Sequence, residues 1–251
     1  MNITRYGIFV ISAIVLTKNS SSTLAKTLSS LADFPEVIVY DTGSEDDTLQ
    51  IAEKFPYVRI EKGPFLGFGP THNEAANAAS YDWILSIDSD EVVSQELSKE
   101  ILGLSLDSRS VYEIPRRNFF NNKEIRGCAG WYPDRVIRLY HRKTTHFSAD
   151  SVHEKILSSH MKRRSLSSAI LHTPYRNIED FLYKMQFYST LFANQNKGKK
   201  KGSVLQALLH SYAAFFKSYL LKRGFLLGKE GFIISLYNAH VAFYKYLKLA
   251  F

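Results

Sequence analysis

The chain has 251 residues and a formal net charge of +8, with 45% hydrophobic and 22% charged residues. This length is sufficient for one large α/β domain with a sizeable core, or for one domain with an appendage. The single cysteine, Cys128, excludes an intrachain disulfide framework and a multi-cysteine zinc site. The composition is that of an ordinary globular protein of a reducing compartment.

An apolar run near the N-terminus, residues 6–16, follows Arg5 and has the length of a signal-peptide core. No small-x-small cleavage site follows it, because the next residues are Thr17, Lys18 and Asn19. A first buried strand explains the same residues, and we expect a strand here. No stretch reaches the ~20 uninterrupted apolar residues that a membrane-spanning helix needs.

Strand and helix patterns alternate through the first half of the chain. Short apolar runs predict strands at residues 12–17, 36–40, 58–60 and 81–87. Apolar residues at helical spacing predict helices at residues 20–31, 45–55 and 71–80. This alternation predicts an α/β fold with a mixed, mostly parallel and doubly wound sheet flanked by helices.

The second half changes character. Residues 110–176 contain strand-like pieces at 111–114 and 135–140 among many aromatic residues and arginines, which indicates a mixed continuation of the sheet. Helices are predicted at 178–192, 203–223 and 231–249, with a flexible basic linker at 196–202. We therefore expect an α/β domain over residues 1–195, made of two halves (1–105 and 106–195), and a separate helical region over 196–251.

The positive charge is concentrated near the C-terminus. Residues 197–251 hold ten Lys and Arg and one acid, Glu230, so that they carry +9 while the rest of the chain nets −1. Aromatic and apolar residues recur there at helical spacing beside lysines, a pattern of basic amphipathic helices that lie on anionic membranes. The alternative is that these helices pack their apolar stripe on the preceding domain. A nucleic-acid partner is not expected, because no known nucleic-acid motif accompanies the charge.

Two aspartates, Asp88 and Asp90, close the fourth apolar run and are followed at once by Glu91. Carboxylates this close repel each other unless a cation or hydrogen-bond donors compensate them. Mg²⁺ binds through one or two such carboxylates together with substrate phosphate oxygens. The alternative is a polar turn before a helix that starts near Ser94.

Polar residues end three of the predicted strands: Thr17 to Asn19, Asp41, and Asp88 to Asp90. In a parallel sheet these strand ends lie on one rim, where open α/β sheets bind ligands. Asp41 suits a uracil or ribose donor group, or else caps the helix that begins near Ser44. A glycine-rich loop at residues 63–70 matches neither a dinucleotide fingerprint nor a P-loop and is weak evidence.

Taken together, these motifs resemble the family 2 inverting glycosyltransferases of the GT-A fold, which have a Rossmann-like nucleotide-binding half. Within that family the chain is similar to the lipopolysaccharide inner-core β-1,4-glucosyltransferases. The resemblance spans nearly the whole chain. It implies a catalytic domain over residues 1–195, with a donor nucleotide-binding half (1–105) and an acceptor half (106–195), followed by a membrane-association region over 196–251. Its most telling segments are residues 14–19, 39–46, 67–73, 83–91, 131–135 and 152–154.

The resemblance implies a donor site for a UDP-sugar and a divalent metal, Mg²⁺ or Mn²⁺. The implied donor contacts are Thr17, Asn19, Asp41, His72, Asn73, Asp88 and Ser89. The metal is assigned to Asp88 and Asp90, with His153 as a further ligand of metal or diphosphate. His72 stands where relatives often have a lysine near the pyrophosphate, so we expect weaker or pH-dependent phosphate binding there.

Inverting transfer needs a base for the acceptor hydroxyl and a cation for the departing diphosphate. Two carboxylates of the second half are candidates for the base: Asp134, beside the aromatic pair Trp131 and Tyr132, and Glu154. Asp134 is preferred; its alternative role is a salt bridge with Arg138. Further acceptor contacts are expected from Trp131, Arg116 and Arg135, and acceptor phosphate contacts from Arg116, Arg117 and Arg126, which are otherwise solvated side chains.

The sequence thus predicts a hexosyltransferase, peripheral on the cytoplasmic face of the inner membrane. It would move glucose from UDP-glucose onto an inner-core heptose of lipopolysaccharide or lipooligosaccharide. The alternatives are transfer to another lipid-linked or capsule acceptor, nucleotidyl transfer, and a non-catalytic sugar- or lipid-binding module. Nucleotidyl transfer would need a more basic glycine-rich loop after the first strand than residues 17–20 provide.

Overall fold

The structure, a computed structural model, describes residues 11–149 and 154–251. The described chain divides into two compact units. The first contains the described residues up to Arg116 and those of Arg135–His172, and the second contains Arg117–Asp134 and Thr173–Phe251. The predicted boundary between residues 195 and 196 is therefore not where the units separate, because the helix that begins at Ile178 packs against the C-terminal helix.

The strands of the described residues belong to one ten-stranded sheet. Their bounds are β1 Ile11–Thr17, β2 Glu36–Asp41, β3 Val58–Lys62, β4 Trp83–Asp88, β5 Glu91–Val93, β6 Ser110–Phe120, β7 Lys123–Glu124, β8 Arg135–His141, β9 Lys162–Ser165 and β10 Ile170–His172. The main path runs β3-β2-β1-β4-β8-β6-β10-β5, with β7 and β9 paired to β6. The four strands from β3 to β4 are parallel, whereas β8 is antiparallel to both of its neighbours.

Seven α-helices are present in the described chain. Their bounds are α1 Leu24–Ser29, α2 Thr48–Ala52, α3 Phe68–Asn77, α4 Gln95–Leu102, α5 Ile178–Asn196, α6 Val204–Phe216 and α7 Lys229–Leu247. The strands β1, β2 and β4 are buried almost throughout, as expected for parallel strands covered on both faces. The predicted mixed, mostly parallel α/β sheet flanked by helices is confirmed.

The second unit has its own apolar core. Phe120, Trp131, Tyr175, Phe181 and Ile234 are buried together in it. Tyr175 stacks on Phe181 at a ring-centroid distance of 4.0 Å and on Trp131 at 5.6 Å. Helix α7 packs against both α5 and α6. Among the described helices, none has both the length and the apolar content needed to cross a bilayer.

Two predicted helices differ from the observed ones. Helix α3 begins at Phe68, so the end of the glycine-rich segment is helical. The helix predicted at residues 203–223 ends at Phe216 and continues as a π-helical turn over Lys217–Leu221. The chain then approaches itself closely at Gly224, where an added Cβ would lie 2.9 Å from the Ser218 carbonyl oxygen. This contact requires glycine at position 224.

Candidate active site

The loops that follow β1 and β2 are joined by hydrogen bonds between their side chains and main chain. The Asn19 amide donates to Ser44 Oγ at 2.9 Å, and the Glu45 amide donates to Asn19 Oδ1 at 2.8 Å. The Ser20 amide donates to Thr48 Oγ1 at 2.7 Å. Asn19 adopts a left-handed φ of 50°, which asparagine tolerates better than most residues. The two loops are therefore a single ordered surface at the sheet edge.

Ser89 connects the end of β4 to the same surface. Its hydroxyl lies 2.8 Å from Ser20 Oγ, and its carbonyl accepts the Thr27 hydroxyl at 3.0 Å. The strand ends that the sequence predicts to share one rim, those of β1, β2 and β4, thus meet. Thr17 closes β1 there and is buried, with its main-chain oxygen accepting the Thr42 amide at 3.0 Å.

Asp41 orders the loop that follows β2. Its Oδ2 accepts the amides of Gly43 and Ser44, each at 3.0 Å, and its Oδ1 accepts the Ser44 hydroxyl. The side chain is buried. These contacts close a turn over residues 41–44, with Gly43 at a φ of 97° that favours glycine. They do not cap a helix, because α2 begins at Thr48 with Asp47 as its N-cap. A contact between Asp41 and a nucleotide base stays a prediction.

Asp46 joins the β1 and β2 loops a second time. Its Oδ2 accepts the Ser21 amide at 3.1 Å, and its Oδ1 accepts the Thr48 amide at 3.0 Å. Burial alone would raise the pKa of Asp46, but the hydrogen bonds from Thr48 and Ser21 lower it to about 2. The carboxylate is therefore charged, and hydrogen-bonded, at every physiological pH.

Asp88 is held by a buried arginine of β8. Arg138 Nη2 donates to Asp88 Oδ2 and, at 2.8 Å, to Glu91 Oε1. Glu91 also accepts Arg116 Nη1 at 2.9 Å, and its Oε2 accepts the Asp88 amide at 3.0 Å. The alternative of an Asp134–Arg138 salt bridge is not observed for Arg138, whose carboxylate partners are Asp88 and Glu91.

Burial and charge act in opposite directions on this cluster. Burial raises the pKa of Asp88, and the neighbouring Glu91 and Asp90 raise it further against the effect of Arg138. Burial would also raise the pKa of Glu91, but Arg138 and Arg116 hold it well below its usual range. Burial would lower the pKa of Arg138, yet its two carboxylate partners raise it. Glu91 and Arg138 are therefore a charged pair in the interior.

Asp90 points to a different partner. Its Oδ1 lies 3.5 Å from Nε2 of His172, which is the last residue of β10. Two ligands of one octahedral Mg²⁺ lie about 3 Å apart, because each is about 2.1 Å from the ion. A carboxylate and an imidazole at this separation fit as two ligands of one cation. No cluster of three or more acidic, His or Cys metal ligands is present in the part of the chain that is described. His153, the predicted further ligand, lies outside the described residues.

His72 is not at the surface of this site. It is only 2% exposed, its ring stacks on Phe147 at 4.5 Å, and its Nδ1 lies 3.2 Å from Ser86 Oγ. Burial, together with the charge of Arg138, lowers the pKa of His72 to about 3 against an opposing effect of Glu91. The expected contact between His72 and the diphosphate needs an accessible ring, and it stays a prediction. His72 is a neutral core histidine.

The side-chain amide of Asn73 binds the main chain of Phe147. Its Nδ2 donates to the Phe147 carbonyl at 3.0 Å and its Oδ1 accepts the Phe147 amide at 2.9 Å. This two-way contact fixes the chain at Phe147, which pairs with Ile156 in an antiparallel bridge. Glu154, one of the two candidate bases, follows on the returning arm and is partly buried. The predicted donor contact of Asn73 stays a prediction.

The second unit contains the other candidate base. Asp134 Oδ2 accepts Asn118 Nδ2 at 2.9 Å, and the same amide donates to the Trp131 carbonyl at 2.8 Å. Trp131 is 6% exposed and belongs to the aromatic core, so little of its ring is accessible. Its acceptor contact stays a prediction. Tyr132, at 49%, is the exposed aromatic beside Asp134. It precedes a cis proline, Pro133.

The predicted phosphate-binding arginines are paired with acids of the chain. Arg116 binds Glu91, and Arg117 and Arg126 share Glu124, to which Arg117 is bidentate. Arg135 donates to Glu113 Oε2 at 2.8 Å and to the Leu166 carbonyl. An acceptor phosphate would have to compete with these carboxylates. The expected acceptor contacts of Arg116 and Arg135 therefore have no support in the geometry.

Sequence reasoning missed Arg138, Glu91 and His172 as parts of this site. The signal for Arg138 is a lone charge inside an apolar strand, since Val136, Ile137, Leu139 and Tyr140 surround it. A buried charge requires a partner. Which acids are the partners depends on the pairing of β8 with β4, and no local pattern reveals that pairing.

Comparison with known proteins agrees with this architecture. Residues 12–171 match the profile of the family described as glycosyl transferase family 2. An uncharacterised glycosyltransferase of Rickettsia conorii is 30% identical over 95% of this chain and 89% of its own length. One of Rickettsia felis is 32% identical with the same coverage. The chain is a glycosyltransferase, and it belongs to glycosyltransferase family 2.

Two further similarities concern better-described proteins. The lipopolysaccharide core biosynthesis glycosyltransferase LpsC of Rhizobium meliloti is 25% identical over 93% of this chain and 89% of its own. The crystal structure of Staphylococcus aureus TarS 1-349 in complex with UDP superimposes with a TM-score of 0.50, at 20% identity, over 87% of this chain and 75% of that one. The TarS similarity confirms the GT-A fold.

A neutral His72 predicts that its ring does not titrate between pH 5 and 8. Its Cε1 proton should keep a constant NMR shift over this range, whereas unfolding in urea should restore a pKa near the ordinary ~6.5. Because the folded pKa is lowered, this group contributes stability that is complete above pH ~6.5 and is lost as the pH falls toward 3. His72→Gln should therefore reduce the acid-induced loss of unfolding free energy by up to about 1.4 kcal/mol per pH unit. A ring that titrates between pH 6 and 8 would contradict the buried assignment.

Proposed function

We propose that this enzyme transfers a hexose, glucose from UDP-glucose in the simplest case, onto an inner-core heptose of lipopolysaccharide or lipooligosaccharide, with inversion at the anomeric carbon. The observation that carries the proposal is the joined surface of the β1, β2 and β4 loops, which ends in Asp88 and Asp90, in a family 2 glycosyltransferase. The core-biosynthesis relative LpsC supports the acceptor class. The UDP bound in TarS supports a uridine donor.

Asp90 and His172 are the residues that would hold a divalent metal, Mg²⁺ or Mn²⁺, together with diphosphate oxygens. Such a metal supplies a positive charge that stabilises the departing diphosphate. Asp88 would face the donor as a hydrogen-bond acceptor, since Arg138 already occupies its Oδ2 and a second cation there would be repelled. His153 stays a proposed further ligand.

The reaction is a single displacement. The base takes the proton of the acceptor hydroxyl, the hydroxyl oxygen bonds to the anomeric carbon, and the bond from that carbon to the diphosphate oxygen breaks with its electron pair leaving on UDP. We assign the base to Asp134, which Asn118 holds through Oδ2 beside the exposed ring of Tyr132. A flat aromatic ring beside a carboxylate suits the apolar face of a sugar. Glu154 is the alternative.

A panel of nucleotide sugars tests the donor. With Mn²⁺ present, UDP-glucose at a hundred times its Kd should raise the Tm by about 5–10 °C. GDP- and CDP-sugars are the matched controls and should give little shift. Transfer to a heptose-containing core oligosaccharide should release UDP in equal amount to the glucosylated product. Equal stabilisation by GDP- or CDP-sugars, or stabilisation by none, would contradict the proposed donor.

The variant Asp134→Asn distinguishes between the two candidate bases, Asp134 and Glu154. General-base catalysis contributes about 10²- to 10⁴-fold, so Asp134→Asn should reduce kcat by that factor and leave the UDP-glucose Kd within twofold. Glu154→Gln is the matched isosteric variant and should lose less than tenfold. The measurement is steady-state transfer together with calorimetric donor binding. The opposite ranking of the two variants would move the base to Glu154.

We further propose that the enzyme works at the cytoplasmic face of the inner membrane and that α6 docks there. One face of α6 is apolar and exposed over its whole length, through Leu205, Leu208, Leu209, Tyr212 and Phe216. The least exposed of these, Phe216, is 42% accessible. The helix contains no Lys, Arg, Asp or Glu. Such a stripe costs free energy in water and is stabilised where apolar side chains can leave it.

The charges around α6 favour an anionic bilayer as the partner. Exposed cations flank both ends of the helix: Lys197, Lys199, Lys200 and Lys201 before it, and Lys217, Lys222 and Arg223 after it. Glu230, the one acid of residues 197–251, is buried and contacts Lys123 and Asn121. A second copy of the chain is disfavoured, since antiparallel pairing of two α6 helices would bring these cations together.

Vesicle sedimentation tests the docking of α6. Leu208→Glu with Leu209→Glu should abolish binding to phosphatidylcholine vesicles containing phosphatidylglycerol. A triple variant should weaken vesicle binding by about a hundredfold at low salt, at about 1 kcal/mol for each charge removed. In it Lys199, Lys200 and Lys201 are each changed to Gln. Leu102→Glu, an exposed leucine on α4, is the control and should bind normally. Binding that survives the double variant, or a dimer in light scattering that the double variant dissolves, would overturn the proposal.

A further inference from the structure

We infer that Arg138, together with Glu91 and Arg116, is a positioning device that fixes the Asp88 carboxylate in the donor site. The inference rests on the proposed donor site and names residues that act on the donor through Asp88. None of the three belongs to the contacts that the family resemblance assigns to the donor. Arg138 and Glu91 contact Asp88 and are less accessible than it, and Arg116 binds Glu91 from β6.

Accessibility falls from Asp88 inward. The Asp88 side chain is 37% exposed, that of Arg138 is 8% and that of Glu91 is 0%. Arg138 contacts Oδ2 of Asp88 and leaves a third of the side chain open to a ligand. The inner residues are out of reach of a sugar nucleotide. Their influence on the donor must therefore pass through Asp88.

Asp88 is held at two points, which restricts both its main chain and its side chain. Glu91 Oε2 accepts the Asp88 amide at 3.0 Å, and Glu91 Oε1 accepts Arg138 at 2.8 Å and Arg116 at 2.9 Å. The same guanidinium of Arg138 then reaches the Asp88 carboxylate. Strand β8 and strand β6 thus supply the cations, and the turn after β4 supplies the anions.

The cluster is balanced, with two guanidinium groups and the carboxylates of Asp88 and Glu91. Removing one member of a buried pair leaves an uncompensated charge, whereas a change that keeps the charge alters mainly the geometry. Both carboxylates accept from one nitrogen of Arg138, Nη2, whose two N–H bonds have fixed directions in the guanidinium plane. The N–H bonds of a lysine ammonium rotate freely on a flexible stem, so their directions are not fixed. Arg138→Lys therefore preserves the charge and removes the defined orientation of Asp88.

The experiment compares Arg138→Lys with Arg142→Lys. Arg142 lies just beyond β8, is partly buried, and binds Asp82 and main-chain carbonyls away from the site, so it undergoes the same chemical change without contacting Asp88. Isothermal titration calorimetry measures UDP-glucose binding, and electron paramagnetic resonance measures Mn²⁺ binding without the nucleotide. Initial rates give the KM of each substrate.

Arg138→Lys should weaken UDP-glucose binding by about ten- to a hundredfold, the usual loss when the support of a site residue is changed. Its Mn²⁺ affinity should stay within twofold, because Asp90 and His172 are intact, and its acceptor KM should be unchanged. Arg142→Lys should bind UDP-glucose as the wild type does. Should Arg138→Lys fail to fold, Glu91→Gln serves in its place, since it keeps the size and the oxygen that Arg138 contacts; the same weakening of donor binding is expected.

Unchanged UDP-glucose binding in the folded variant would overturn the inference. So would a loss in which donor, Mn²⁺ and acceptor affinities fall together, because that is the result of general destabilisation. Failure of the wild type to bind any UDP-sugar is a different result, which contradicts the proposed function itself.

Discussion

A guanidinium in the interior between two carboxylates is the constraint on which the site depends. Arg138 is buried, and a charge in that position is tolerated only with partners of opposite charge. Asp88 and Glu91 are those partners, so the end of β4 and the start of β5 are tied to the middle of β8. The antiparallel pairing of β8 with β4 brings the three residues together. The pairing of β8 with β4 thus allows the ion pairs of Arg138 to form, and those ion pairs in turn stabilise the pairing.

The loops that follow β1, β2 and β4 are ordered by hydrogen bonds from short polar side chains to neighbouring loops. Asn19 and Ser20, which follow β1, contact residues that follow β2. Ser89, which follows β4, contacts Ser20. Such contacts form before any ligand arrives, which reduces the ordering cost of binding. They also explain why polar residues follow three separate strands: each has a partner within the protein besides any partner in a substrate.

Local patterns were sufficient for the strands of the first half and for the rim at which they end. They were insufficient where a residue's role depends on burial. His72 and Trp131 have side chains that suit a phosphate and a sugar, yet both are in the interior, since helix α3 turns one inward and an aromatic cluster surrounds the other. Arg138 and His172 come from distant strands, and only the order of the sheet brings them to Asp88 and Asp90.

The second unit is built from two separate segments of the chain, and this limits which segments can be exchanged between related proteins. Phe120 and Trp131 lie on the inserted segment 117–134, while their core partners Tyr175 and Phe181 lie beyond residue 172. A chimaera that exchanges only the stretch after residue 172 would combine core residues from two different proteins in one core. Exchange of this unit between relatives therefore requires residues 117–134 and the stretch after residue 172 to be replaced together.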